Sequence, residues 1–176
     1  MTSAQHSSET PRWGTPSDIV ERARRLLGRI GFDPMSEAKF QETVKADRYL
    51  SLDERGEDAL LEKWEDDTFL NPAGGLVAES WDKLVEEILA GRVTKAFWVG
   101  FSVEQLCVLS DKKPSPLDFS ICFLRKRLKF QHHSDPDKER PSHANYVCAI
   151  GVSHSAFCEE FGALGKCLEG ELSEEE

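Results

Sequence analysis

The chain has 176 residues, 39% of them hydrophobic and 31% charged, with a formal net charge of −10. That length supports one domain with a sizeable core, and no apolar run approaches the ~20 residues needed to span a bilayer. The acidic balance argues against a generic nucleic-acid binder, and the polar stretch from Met1 to Gly14 lacks the apolar core of a secretory signal, so the cytoplasm is the expected compartment.

Residues 1–12 are rich in Ser, Thr, Gln and His and are expected to be disordered. Order is expected from Trp13-Gly14-Thr15-Pro16. Thr15 suits an N-cap, Pro16 the first helical position, and Asp18 the positive end of the helix. Ile19, Val20, Ala23, Leu26, Leu27 and Ile30 then form an apolar stripe that predicts a helix to about Gly31, with Arg22, Arg25 and Arg29 outside. Ile30-Gly31-Phe32-Asp33-Pro34 reads as a short strand cut off by proline. An acid at such a strand end binds an amine or a ribose hydroxyl, or else caps the next segment as a turn carboxylate.

Residues 36–57 are polar and weakly patterned, with Tyr49 and Leu50 as anchors, and Asp58 to Trp64 reads as a short helix. Thr68-Phe69-Leu70 suits a buried strand that Pro72 stops at Asn71. Gly74 and Gly75 let backbone approach a ligand, although Asn71-Pro72 taken alone reads first as an ordinary strand-ending turn. Ser80 is a candidate cap for a helix presenting Trp81, Leu84, Val85, Ile88 and Leu89 on one face, with Gly91 closing it.

Lys95 to Phe101 is apolar enough for a strand buried on both faces. Ser102 then caps a short helix holding Val103, Leu106, Cys107 and Leu109. Phe119 to Leu124 is a strand, and Arg125 to Phe130 alternates basic and apolar residues as another would. Residues 112–140 hold eight bases against four acids, a local basic surface or a solvated loop. Gln131 to Pro141 is a polar loop. Ala144 to Gly151 is a late strand, followed by a helix capped by Ser153 that ends near Gly162, and Gly170 to Glu176 is an acidic tail. Strands alternating with helices predict a three-layer α/β domain with a mostly parallel sheet.

Five cysteines without CxxC spacing read as buried free thiols. His132, His133, His143 and His154 with Cys148 and Cys158 match no standard zinc spacing, so no metal is expected. GxGxxG, GxSxG and phosphate-loop patterns are absent.

Three polar signals remain, in order: Trp13-Gly14-Thr15-Pro16, Phe32-Asp33-Pro34, and Leu70-Asn71-Pro72. Together they resemble the phage-type DNA N-6-adenine methyltransferases. Ala46-Asp47-Arg48-Tyr49-Leu50 with Asp58-Ala59-Leu60 and Trp64 is similar to that family's segment before its catalytic strand, and Leu124-Arg125-Lys126-Arg127-Leu128-Lys129-Phe130 to its late basic segment. The resemblance runs from about Trp13 to Ile150. It implies a Rossmann-like methyltransferase domain over residues 13–168, ahead of the acidic residues 169–176. It also implies S-adenosylmethionine as cofactor and double-stranded DNA as partner, in a host cytoplasm if phage-encoded. Trp13, Thr15, Pro16 and Asp33 would hold the cofactor, with Asp58 facing its adenosine. Asn71 and the Pro72 carbonyl would accept the two N–H bonds of an adenine amine flipped out of the duplex. Gly74 and Phe101 would face that base, and Arg125 and Arg127 the DNA phosphates. The family's turn is Asn-Pro-Pro followed by an aromatic residue, whose stacking is worth roughly 1–3 kcal/mol. Here Ala73 and Gly74 follow Pro72, and Phe101 offers a replacement face or is simply core. Three readings stay open: adenine N6 methylation, a relative that binds cofactor or DNA without catalysis, and methylation of cytosine N4.

Overall fold

A computed structural model describes residues 12–132, 134–135, 139–140 and 143–174. The expected disorder of residues 1–11, His133, and the last two residues of the acidic tail lie outside these.

The chain runs β1 (Trp13–Gly14), α1 (Ser17–Leu27), β2 (Phe32–Asp33), α2 (Ala38–Val44), β3 (Arg48–Tyr49) and α3 (Leu52–Arg55). Next come β4 (Thr68–Leu70), α4 (Val77–Leu89), β5 (Ala96–Gly100), α5 (Val103–Leu109) and β6 (Ser120–Leu124). It closes with β7 (Phe130–His132), β8 (Glu139–Arg140), β9 (Tyr146–Ile150), α6 (His154–Phe161) and β10 (Gly165–Leu168). The main sheet has seven strands in the order β10-β6-β9-β5-β4-β2-β3. It is parallel from β3 through β2 and β4 to β5, and antiparallel at the β5–β9, β9–β6 and β6–β10 pairings. A smaller sheet, β1-β7-β8, is separate.

Alternation along the strands divides the core in two. Leu70, Ala96 and Trp98 pack on one face with Trp81 and Leu84 of α4 and Leu106 and Leu109 of α5. Phe69, Phe97 and Val99 pack on the other with Ile19, Val20, Ala23 and Leu27 of α1 and Phe157 and Phe161 of α6. Side chains of successive strand residues point to opposite faces, so β4 and β5 are apolar at every position except Thr68, whose buried hydroxyl donates to the Glu65 carbonyl at 2.7 Å. Both are fully buried. The α/β class and the three layers follow from this arrangement.

Several local expectations give way. Pro16, not Thr15, occupies the cap position of α1, and Gly28 ends that helix before Gly31. Helix α4 begins at Val77, so Ser80 lies inside it, buried, with its hydroxyl on the Met35 sulfur at 3.4 Å. Leu89 is 81% exposed and leaves the apolar face. Asp58 to Trp64 is a turn rather than a helix: the Asp58 carbonyl accepts the Leu61 and Glu62 N–H groups at 3.0 Å, but the Trp64 N–H goes to the Glu87 carboxylate at 3.2 Å instead of continuing a ladder. Residues 125–129 are not a strand. Only Phe130 continues into β7, where His132 is buried against the Trp13 ring rather than lying in a loop. Cys107 is exposed, whereas Cys122 and Cys148 are buried as expected.

Candidate functional site

The parallel strands fix where a site can form. From β2 the chain moves outward to β3, then crosses back to place β4 on the other side of β2. The connections out of β2 and β4 therefore diverge, and a crevice opens at their carboxyl ends. Open α/β sheets bind ligands at such a reversal point. Asp33 is the last residue of β2 and Asn71 directly follows β4.

A cavity of about 180 Å³ lies there. Asp33, Asn71, Pro72 and Gly74 line it from the strand ends, and Trp13, Gly14 and Thr15 line it from β1 and the turn after it. Phe101, Gln105 and Phe130 complete the wall. Gly14 has no room for a side chain, because a Cβ there would fall 2.7 Å from the Phe40 ring. That close approach seats β1 over α2.

Asp33 is buried at 3% exposure, and burial pushes its carboxyl up to about 6 against the hydrogen bonds from Ser36 and Gln41. Gln41 donates to it at 2.8 Å and also bonds the Ser36 hydroxyl at 2.8 Å. The carboxyl is thus held in one orientation and poised to ionise near neutrality. Thr15 is buried, and its hydroxyl has no hydrogen-bond partner in the described structure. The Gln105 side-chain oxygen is in the same state. A cavity with apolar walls and a few unmatched polar groups suits a small organic ligand.

The Asn71 amide nitrogen donates to the Trp13 carbonyl at 2.8 Å. A carbonyl can only accept, so this bond fixes the amide and leaves the Asn71 side-chain oxygen as the acceptor on offer. Phe101 is braced by Phe130 and His143, with ring centroids 5.4 and 5.2 Å away. It is half-buried and does reach the cavity.

Of the residues singled out in the sequence, Trp13, Thr15, Asp33, Asn71, Pro72, Gly74 and Phe101 converge. Pro16 serves the start of α1 and is not in the lining. Asp58 lines a smaller neighbouring pocket with Leu52, Glu57 and Leu76. The two share Arg12, Met35 and Ala73 as a common wall. Arg125 and Arg127 are exposed and outside the cavity, and Arg125 donates to the Ala163 carbonyl at 3.1 Å. Gln105 and Phe130 were not foreseen. Nothing in the local pattern marks a glutamine in a short helix as facing a cavity.

Among the described residues, no cluster of His, Cys, Asp and Glu suits a metal ion, and no helix is long and apolar enough to cross a membrane. No family model, curated protein or solved structure matches the chain.

Proposed function

We propose that this chain is a Rossmann-like, S-adenosylmethionine-dependent DNA methyltransferase acting on the N6 amine of adenine. The observation that carries the reading is the convergence of Asp33, Asn71 and the Trp13–Thr15 segment on one cavity. These three short signals lie 58 residues apart from first to last, Trp13 to Asn71, yet meet at the reversal point of the sheet. The orphaned Thr15 hydroxyl and the ionisable Asp33 carboxyl, held in one orientation, are groups that a polar cofactor would satisfy.

Bound S-adenosylmethionine supplies a methyl group already activated by its sulfonium. The chain's own work is then positioning. Asp33 at the end of β2 and Thr15 after β1 would hold polar groups of the cofactor. Pro72 fixes the turn that carries Asn71 to the cavity. The Asn71 oxygen accepts an N–H of the incoming amine, which draws the nitrogen out of conjugation with the ring and frees its lone pair. That contact strengthens as positive charge develops on nitrogen, so it favours the transition state over the ground state. Phe101 presents a face toward the flipped base, and Arg125 and Arg127 meet phosphates outside the cavity.

A second reading, cofactor or DNA binding without catalysis, is favoured by one specific feature. Ala73 and Gly74 stand where the resemblance calls for proline and an aromatic ring. Transfer of labelled methyl from S-adenosylmethionine to unmethylated DNA, followed by nucleoside analysis, separates the readings. N6-methyladenine is the expected product. N4-methylcytosine would move the assignment to the other base, and cofactor binding without transfer would favour the second reading.

A further inference from the structure

Gln105 has a buried side-chain oxygen at the cavity without a partner in the described structure. Leaving a buried acceptor unmatched is destabilising. Native structures rarely tolerate this unless something outside the chain completes the group. The backbone position of Gln105 is well determined. Ser102 caps α5 by accepting the Glu104 N–H at 3.1 Å, and Leu106 and Leu109 anchor the helix in the core. Asn71 reaches the same cavity from β4, with its oxygen fixed as an acceptor by the Trp13 carbonyl. A ligand that satisfies both oxygens must bring two hydrogen-bond donors, as the two N–H groups of one primary amine do.

We infer that Gln105 is a specificity-determining residue that reads the edge of the ring bearing the reacting amine, an inference that rests on the methyl-transfer reading of this cavity. An amide offers an acceptor beside a donor. Its complement is an amidine edge, a primary amine next to a bare ring nitrogen, which adenine and cytosine both carry. Glutamine pairs with adenine in this bidentate way. Gln105 Oε1 takes one N–H of the amine, Gln105 Nε2 donates to the ring nitrogen, and Asn71 Oδ1 takes the other N–H. Gln105 thereby fills the second-acceptor role that the resemblance gives to the Pro72 carbonyl. A ring with a carbonyl in place of the amine is rejected. Gln105 can turn its amide over to suit such a ring, but Asn71 cannot without setting its NH₂ free of Trp13, so two oxygens would face each other. Leaving buried polar groups mismatched is how such sites discriminate.

The test uses the full chain saturated with S-adenosylhomocysteine, which keeps nucleosides off the cofactor wall. Deoxyadenosine, deoxycytidine and deoxythymidine are titrated in and followed by NMR chemical shifts. The first two are expected to bind and deoxythymidine is not. Gln105→Leu should weaken deoxyadenosine binding by about tenfold or more, the loss of a bidentate pair, and leave S-adenosylhomocysteine affinity unchanged. Gln105→Met, matched in length, should behave alike and guards against a packing effect. Both ligand-free variants should melt above the wild type, since an unmatched buried oxygen is gone. Deoxythymidine binding as tightly as deoxyadenosine, no nucleoside binding at all, or unaltered binding in both variants would overturn the inference. Failure of S-adenosylhomocysteine to bind would instead sink the cofactor reading, and the same titration on the free protein would still decide the role of Gln105.

Discussion

The side-chain amide of Asn71 donates to the main-chain carbonyl of Trp13 at 2.8 Å, tying the end of β4 to β1 across the mouth of the cavity. One bond therefore does two things. It holds the small sheet over the main one, and it orients the oxygen that the proposed chemistry needs.

Asn71→Ala should consequently show a mixed effect. Losing the bond to Trp13 costs about 1 kcal/mol of stability. Losing the oriented acceptor should lower methyl transfer about 10²–10³-fold. S-adenosylmethionine affinity should change little. Melting temperature, cofactor calorimetry and single-turnover transfer on one preparation separate these contributions. A rate per folded molecule equal to the wild type would reduce Asn71 to a tether.

Asp33 sets a pH dependence. Its folded value of about 6 stands above the ordinary 3.8. Between those values the folded state holds a proton that the unfolded state has released, so stability falls as pH rises through that window. Above it the full cost, on the order of 3 kcal/mol, is present. Asp33→Asn should flatten this dependence and be the more stable form at pH 7.5. Urea denaturation of both proteins at pH 4.5 and 7.5 checks the sign. Affinity for a cationic cofactor should run the other way, tightening in the wild type as pH rises past about 6. Asp33→Asn should show no such tightening.

Thr15→Val replaces a buried, unmatched hydroxyl with a methyl group of similar shape. The ligand-free variant should melt higher, by a few degrees if about 1 kcal/mol is relieved in a domain of this size. The stabilisation that S-adenosylmethionine gives should shrink. A thermal-shift series with and without cofactor reads both. A lower melting point together with an undiminished cofactor shift would remove Thr15 from the site.

Arg127 is exposed and Arg125 is tied to the Ala163 carbonyl. If both meet phosphates, each alanine substitution should reduce the log–log salt slope of DNA binding by about 0.9. Neither substitution should cost much stability, since the bond from Arg125 to the Ala163 carbonyl is exposed and water can replace it. Fluorescence anisotropy across a salt series measures the slope, and an unaltered slope in both would return this segment to a solvated surface.

The sequence was most legible where one physical demand dominated. Ala96 to Gly100 had to be a strand buried on both faces because every position is apolar. Ser102 and Ser153 were visible as caps, and both accept backbone N–H groups as expected. Legibility failed where tertiary contact overrode local pattern. Ser80 has the chemistry of a cap but is buried inside α4, which starts with Val77 and has no side-chain cap. Strand β10 was invisible because Gly165-Lys166-Cys167-Leu168 has no strand signature; only its pairing with β6 makes it one. The two-residue strands β1 and β3 were equally hidden, since neither is long enough to show a period. In the candidate site, Asp33 and Asn71 could be read from their place at the carboxyl ends of strands. Gln105 could not, because its significance lies in what surrounds it.

Strand β9 lies between β5 and β6, although both of those precede it in the chain. During synthesis, then, the parallel strands and β6 emerge with no direct route to each other. Until Tyr146–Ile150 leaves the ribosome, β5 presents a bare edge of unpaired N–H and C=O groups on a strand with no polar side chain. Such an edge is a template for pairing with other chains. One late pentapeptide thus acts as the keystone of the sheet, and a chain interrupted just before it would hold a nearly complete ligand wall on an unfinished, aggregation-prone scaffold.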